Sequence, residues 1–189
     1  TLQKGEVLAL MGENGAGKST LMKVLGGAHL PDQGTIQLEG ENVTIESPVK
    51  ARALGVSMIY QEFNLIPALS AIENVFLGQE ITQNGLIRRG EEKDQTLALL
   101  SQLGMDFDPE LPCRQLTIAQ QQSIEIARAL SLNSKILVLD EPSAVLTLHE
   151  VEKLFEIIHK LKQQGLGLIY IGPRLDEIFR IADRTQVMR

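Results

Sequence analysis

The alternation of apolar and polar stretches along the chain predicts short buried strands separated by helices. Largely apolar runs occur at residues 7–11, 56–60, 136–139 and 166–171, and each has the length and composition of a strand buried on both faces. Over residues 148–163, apolar residues recur every three or four positions, as they do on one face of a helix. Strands that alternate with helices indicate a mostly parallel sheet, and the predicted fold class is therefore α/β.

Turn and cap residues predict the remaining elements. Residues 35–38 and 43–45 are predicted to pair as an antiparallel hairpin across a turn at residues 40–42, and Pro48 is suited to begin a short helix that ends at Gly55. Further helices are predicted from the cap residue Ser70 onward and at 91–103, 118–130 and 175–182, and a last strand at 184–188. A small antiparallel part thus accompanies the parallel core.

The middle of the chain differs in character from its two ends. From residue 62 to about residue 130, helical periodicity replaces the short apolar strands. We therefore predict a core formed by residues 1–61 and 131–189 and a helical subdomain formed by residues 62–130. Because the first apolar run begins almost at Thr1 and the last predicted strand ends next to Arg189, we expect the core to be truncated at both ends.

The loop after the first predicted strand has the pattern of a phosphate-binding loop. Residues 12–19 match G-x-x-x-x-G-K-[ST] between a strand and a helix, and the glycines let successive backbone N–H groups point at phosphate oxygens. Lys18 can reach the β- and γ-phosphates of a nucleotide, and the Ser19 hydroxyl can ligate Mg²⁺. The predicted nucleotide contacts are Gly12, Glu13, Asn14, Gly15, Ala16, Gly17, Lys18, Ser19 and Thr20.

Two adjacent carboxylates follow the apolar run at residues 136–139. Asp140 and Glu141 stand at the carboxyl end of a predicted buried strand, which is the edge of a parallel sheet where ligands bind. Alone, such a pair is usually a strand entering a solvated turn. Together with the phosphate-binding loop, Asp140 is suited to hold Mg²⁺, and Glu141 is suited to accept a proton from attacking water. The sequence thus predicts a site for ATP and Mg²⁺.

Composition and charge argue against nucleic-acid binding, an internal disulfide and a membrane-spanning helix. The net charge of −6 argues against a nucleic-acid partner bound through a basic face, and the single Cys113 allows no internal disulfide. No apolar stretch approaches the roughly 18 residues that a membrane-spanning helix needs.

The order of the motifs resembles the nucleotide-binding domain of ABC transporters, which are P-loop NTPases. The segments GENGAGKSTLMKVL, YQEFNLIPALSAIENVFLG, AQQQSIEIARAL and DEPSAVLT are similar to the N-terminal half of the monosaccharide-importer branch, and the resemblance covers essentially all 189 residues. Residues 116–120 occupy the place of the signature motif in that family. By itself, the spacing of Thr117 and Gln120 indicates only an ordinary capping box at a helix start.

The resemblance implies an ATPase that powers sugar import. ATP is then held between the P-loop of one domain and Thr117 and Gln120 of a second, either a fused half or a dimer mate, while Lys18, Gln61 and Glu141 act in hydrolysis and Gln61 also contacts Mg²⁺ or the water. The implied partners are permease subunits, which dock near residues 62–78, and, indirectly, a periplasmic sugar-binding protein; no nucleic acid is implied. The implied location is the cytoplasmic face of the inner membrane.

This sequence departs from the family pattern at several positions. Ile118 and Ala119 replace two signature glycines, and Thr147 stands where most members have Asp. Gly172 and Pro173 replace a Ser-His pair whose histidine contacts the γ-phosphate, and proline has neither a side-chain donor nor a backbone N–H. The three histidines of the chain, His29, His149 and His159, do not fall at this position and are expected to be surface or helix residues.

Pro173 leads to the hypothesis that the site binds ATP but hydrolyses it poorly. An alternative reading is therefore a degenerate ATP-binding or regulatory half with little turnover, whereas intact Lys18, Asp140 and Glu141 favour an active ATPase. A third reading, a soluble ABC protein of chromosome maintenance or repair, is disfavoured because no sustained heptads separate the P-loop from residue 116.

Overall fold

A five-stranded parallel sheet carries the fold in the computed structural model, which describes residues 1–13 and 15–189. The elements in chain order are β1 (Val7–Gly12), α1 (Lys18–Leu25), β2 (Ile36–Leu38), β3 (Glu41–Val43), α2 (Pro48–Ala53), β4 (Val56–Ile59), α3 (Ala71–Phe76), β5 (Thr82–Gln83), β6 (Leu86–Ile87), α4 (Arg89–Gln102), α5 (Ile118–Ser131), β7 (Ile136–Asp140), α6 (Leu148–Gln163), β8 (Gly167–Ile171), α7 (Leu175–Ile181) and β9 (Arg184–Met188). A short 3₁₀ turn at Cys113–Gln115 precedes α5.

The sheet has the strand order β4-β7-β8-β1-β9, and every neighbouring pair is parallel. The predicted α/β class with a mostly parallel core sheet is therefore confirmed. Alternate residues of the inner strands face opposite sides of the sheet. In β7, Leu137 and Leu139 join a core with α3, α5, α6 and α7, whereas Val138 packs with Met22 of α1 on the other face. Burial on both faces explains why these strands read as continuous apolar runs.

Helices α3, α4 and α5 pack against one another beside the sheet, and α5 also contacts β4. Ser70 caps α3 in a reciprocal bond pair with Glu73, as its sequence position predicted. The Asn74 side chain closes the preceding loop, because its amide donates to the carbonyls of Ile66 and Ser70. No helix in the described part of the chain is long and apolar enough to cross a membrane.

Two hairpins differ from the sequence expectation. The first turns at Glu39 and Gly40, both with positive φ, so its second strand is β3 and not residues 43–45. Such a turn suits the twist of paired strands, and it moves the pairing toward the N-terminus. The second hairpin, β5–β6, was not predicted, although Asn84-Gly85 is a strong hairpin signal. Its strands of two residues are too short to produce an apolar pattern.

Candidate nucleotide-binding site

The candidate site lies at the carboxyl edge of the parallel sheet. Strand register places Asp140 opposite Ile171, and Ile171 opposite Leu10. The phosphate-binding loop therefore leaves β1 just beyond the level at which β7 delivers Asp140. Gln61 follows β4, the strand on the other side of β7, two residues after Ile59, which pairs with Leu139. Neighbouring strands are about 4.8 Å apart, so the sheet brings these loops to one edge.

Glycine is required in the loop for two different reasons. At Gly12, a Cβ atom would lie 2.7 Å from the backbone oxygen of Met188, so no side chain fits between β1 and β9. Gly17 has φ +93 and precedes α1 without any side-chain cap, which leaves the first N–H groups of the helix free of a capping side chain. An anion fits such uncapped N–H groups. The expected contact of Asn14 lies outside the described residues.

The Lys18 ammonium is folded back over the loop. Its Nζ donates to the backbone carbonyls of Gly12 at 2.6 Å and Glu13 at 3.1 Å. These carbonyls hold the charge at the rim of the cradle, while Ser19 and Thr20, in the first turn of α1, are exposed. A bound phosphate would offer Lys18 a full negative charge in place of carbonyl dipoles, and charge-assisted bonds are the stronger kind.

Asp140 is half-buried, and its negative charge is only partly compensated by Lys18. Burial and the neighbouring Glu141 charge raise the pKa of the Asp140 carboxyl, and the Lys18 ammonium opposes this only in part. A cation beside Asp140 would favour the ionised form. The described residues contain no group of three His, Cys, Asp or Glu side chains that could hold a metal ion, so any Mg²⁺ here would be held by at most two carboxylates, with neutral oxygens and phosphate. Because Mg²⁺ is commonly bound in this way, Ser19, Asp140 and the exposed Gln61 fit the ion.

Glu141 has an unusual backbone for its residue type. Its φ is +48, in the left-handed region, and its N–H donates to the Ile171 carbonyl at 2.8 Å. Non-glycine residues in this region persist where surrounding contacts hold them, often at functional sites. The turn directs the chain away from β7 immediately after Asp140, and it leaves the Glu141 side chain half-buried at the edge of the sheet.

The first turn of α5 contains the two predicted signature residues. Thr117 caps the helix: the Thr117 hydroxyl accepts from the Gln120 N–H at 3.3 Å, and Gln120 Oε1 accepts from the Thr117 N–H at 2.9 Å. The capping box is thus confirmed. Within this chain each of the two side chains accepts from the backbone N–H of the other residue, and among the described residues neither forms a hydrogen bond with Lys18. Their predicted role toward ATP requires the P-loop of a second domain.

No histidine lies at the end of β8 in the described part of the chain. Pro173 is exposed there, and the Arg174 guanidinium that follows it bonds inward to the Glu177 carboxylate at 3.1 Å. Arg174 therefore does not replace the missing imidazole. The three histidines are all exposed, His29 in the loop after α1 and His149 and His159 on α6, as expected from the sequence.

Sequence reasoning missed Glu125, a buried carboxylate in α5. Its Oε1 accepts from the backbone N–H of Asn64 at 2.7 Å, so it ties α5 to the loop that begins at Gln61. Burial raises the pKa of Glu125, although the Asn64 bond and Arg128 both lower it. The signal in the sequence is its position between the apolar residues Ile124 and Ile126, but a glutamate in a helix ordinarily faces solvent.

Replacing Glu125 by Gln is expected to have a pH-dependent effect on stability. A raised pKa in the folded state contributes stability below the unfolded value, here 4.5, and that contribution is lost as pH rises through the folded pKa. Gln keeps an acceptor for Asn64 and does not ionise. The variant should match the wild type near pH 4 and exceed it by about 1 kcal/mol at pH 8 in urea unfolding.

The exposed Glu156 of α6 offers a matched control, since Glu156→Gln makes the same chemical change without burial. A stability difference between Glu125→Gln and wild type that stays constant from pH 4 to pH 8 would refute this role of burial.

Comparisons with known proteins agree with this geometry. Residues 1–144 match the family model described as ABC transporter. The chain is 49% identical over 185 residues to "Ribose import ATP-binding protein RbsA 3" of Rubrobacter xylanophilus, covering 98% of this chain and 37% of that protein. It is 46% identical over 189 residues to a "Putative ribose/galactose/methyl galactoside import ATP-binding protein" of Ralstonia nicotianae, covering 100% and 36%. The chain thus spans little more than a third of these relatives.

Solved structures give the same result for the fold. A nucleotide-free ATP-binding cassette from an ABC transporter superposes with a TM-score of 0.86 at 26% identity, covering 99% of this chain and 78% of that one. A dimeric post-hydrolysis state of the ATP-binding cassette MJ0796, bound to ADP and Pi, superposes with a TM-score of 0.81 at 26% identity, covering 100% and 83%. Family match, relatives and fold agree, and the chain belongs to the ABC transporter family, with the fold of its ATP-binding cassette.

Proposed function

We propose that this chain is the ATP-binding and ATP-hydrolysing part of a subunit that powers monosaccharide import through an ABC transporter. The observation that carries the proposal is the shared sheet edge: the uncapped start of α1 with Lys18 follows β1, Asp140 and Glu141 lie at the end of β7, and only β8 separates these two strands. The substrate class is supported by the names of the relatives, which are ribose and galactoside import proteins.

The residues have separate roles in the proposed reaction. Backbone N–H groups of the loop hold the phosphates of ATP, and Lys18 exchanges its carbonyl partners for phosphate oxygens. Ser19, Asp140 and Gln61 would hold Mg²⁺, which neutralises charge on the phosphates when bound. Glu141 accepts a proton from the water that attacks the γ-phosphate in line.

A second nucleotide-binding domain completes the site in this proposal. Thr117 is the exposed N-cap of α5, and the half-buried Gln120 lies in its first turn, whose N–H groups provide positive potential for a phosphate that belongs to another domain. The partner is a fused half or a dimer mate. Residues 62–130 act as the helical subdomain, whose residues 62–78 contact the permease at the cytoplasmic face of the inner membrane, and the periplasmic sugar-binding protein acts through the permease.

The test is ATP hydrolysis and sugar uptake by the full-length protein, assembled with its permease in proteoliposomes. Hydrolysis should depend on Mg²⁺ and should rise when the sugar and its binding protein are supplied, because uptake and hydrolysis are coupled. A hydrolysis rate that does not change when the sugar and its binding protein are added would contradict the transport role. Nucleotide binding without hydrolysis would favour the degenerate alternative.

The degenerate reading has one observation in its favour, the absence of a side-chain donor at Pro173. Replacing Pro173 by His is expected to raise the single-turnover rate of hydrolysis about tenfold, because a donor at the end of β8 can contact the γ-phosphate. Gly172→Ser, the other family residue, is a separate variant: a Cβ at Gly172 would lie 3.0 Å from Cε1 of Tyr170, so the ring must move. An unchanged rate in Pro173→His would show that Pro173 does not limit hydrolysis.

A further inference from the structure

A buried cluster of three polar side chains joins the turn that begins at Glu141 to β8 and α7. Glu177 of α7 accepts two hydrogen bonds at Oε2, from the Tyr170 hydroxyl of β8 and the Ser143 hydroxyl, both at 2.6 Å. Tyr170 is 0% exposed, and Ser143 and Glu177 are each 3% exposed. Arg174 bonds the other carboxylate oxygen at 3.1 Å. We refer to Ser143, Tyr170 and Glu177 as the buried triad.

The Glu177 carboxylate is the shared hydrogen-bond acceptor of the buried triad. Each hydroxyl has one proton, and both protons are directed at the same oxygen of Glu177. No proton therefore remains for a hydrogen bond between the Tyr170 and Ser143 oxygens, which lie 3.3 Å apart. Burial and the bond to Glu177 raise the pKa of the Tyr170 phenol, which stays a neutral donor. Without the carboxylate, two buried hydroxyls would lose their shared acceptor.

The buried triad is attached to the turn that presents Glu141. The Ala144 N–H donates to the Glu141 carbonyl at 3.1 Å, so residues 141–144 form a tight turn whose first residue has a left-handed backbone. That backbone conformation is unfavourable for a residue with a side chain, and it persists only where neighbours hold it. One contact that stabilises the turn is the bond from the Glu141 N–H to the Ile171 carbonyl. A second is the bond from the Ser143 hydroxyl to Glu177, two residues further along the chain.

We propose that Glu177 is a positioning residue for hydrolysis: by binding Ser143 and Tyr170, its carboxylate fixes the turn that places Glu141 just after β7, beside the end of β8. The inference rests on the proposed ATP hydrolysis and deepens it, because Glu177 acts on Glu141 and touches neither nucleotide nor water. Tyr170 also lies two residues before Gly172, so the buried triad joins this turn to the segment that departs from the family pattern.

The test compares Glu177→Leu, which removes the acceptor, with Ser143→Ala and the double variant in the full-length protein with its permease. Each single variant should lower kcat for ATP about tenfold and change KM less than twofold, since the nucleotide cradle is untouched. The double variant should fall no further than the worse single one, because both changes break the same bond. Amide hydrogen exchange at Glu141 and Ala144 should accelerate about tenfold in all three.

Glu152→Leu is the matched control. Glu152 also pairs with a residue of α7, accepting from Arg180 at 2.7 and 2.5 Å, but it has no bond to the turn, so kcat and exchange should stay at wild-type values. Wild-type kcat and exchange in Glu177→Leu, or independent effects that multiply in the double variant, would overturn the proposal. Should Glu177→Leu fail to fold, Ser143→Ala tests the same bond. A wild type without ATPase activity would refute the proposed function, and hydrogen exchange would still decide the positioning role.

Discussion

Replacing Glu141 by Gln is expected to lower the single-turnover rate of ATP hydrolysis about a hundredfold or more, while ATP binding persists. The carboxylate is the candidate general base, and such groups contribute roughly 10²–10⁴-fold. Gln has nearly the same shape, so the left-handed turn and the bond from its N–H to Ile171 should remain. The measurement is phosphate release after rapid mixing of the full-length protein and its permease with Mg²⁺-ATP.

Nucleotide affinity provides the internal control for this variant. The phosphate cradle lies on β1 and α1, and Glu141 forms no part of it, so the dissociation constant for ATP should change by less than about threefold. A variant that hydrolyses ATP at the wild-type rate would remove Glu141 from the proposed mechanism. A variant that loses ATP binding would show that Glu141 supports the fold of the site and not the proton transfer.

The second large effect is expected at Gly27, two residues after the end of α1. Its φ is +73, and a Cβ would lie 2.3 Å from the backbone oxygen of Ser47 and 2.4 Å from the Ser47 carbonyl carbon. Because these are backbone atoms at the start of α2, no side-chain rotation relieves the clash. Gly27→Ala should lower the free energy of unfolding by about 3 kcal/mol or more, the sum of backbone strain and overpacking. The measurement is urea unfolding of the full-length protein.

Gly34 separates these two causes. It also has a positive φ, +101, but no atom lies within 4 Å of the point that a Cβ would occupy, so Gly34→Ala adds only backbone strain, about 1–2 kcal/mol. Equal losses of stability in the two variants would show that the contact with Ser47 contributes nothing.

The candidate phosphate cradle could be proposed from sequence because its residues are close together in the chain. Gly12, Gly17, Lys18 and Ser19 act within one loop, and the spacing alone relates them. The apolar runs likewise predicted strands close to β1, β4, β7 and β8, since burial on both faces leaves no polar alternation. For the same reason, Asp140 and Glu141 could be assigned to the functional edge once a parallel sheet was inferred.

The parts that sequence could not provide depend on contacts between distant segments. Nothing in β1 indicates that it lies between β8 and β9, and the need for Gly at position 12 follows from the approach of Met188. Glu125 and Glu177 read as ordinary helical glutamates, yet both are buried against loops far away in the chain. Their partners, Asn64 and Ser143, carry no local pattern that identifies them.

The central claim is that this chain supplies both the phosphate cradle and the base of one ATP-hydrolysing site. The most direct test is the identity of the nucleotide that stays bound after the full-length protein, with its permease, is mixed with Mg²⁺-ATP and passed quickly through a desalting column. We predict that the wild type retains ADP, and that Glu141→Gln retains ATP at the site formed by Lys18. Conversion of all bound ATP to ADP in Glu141→Gln, as fast as in the wild type, would contradict the claim.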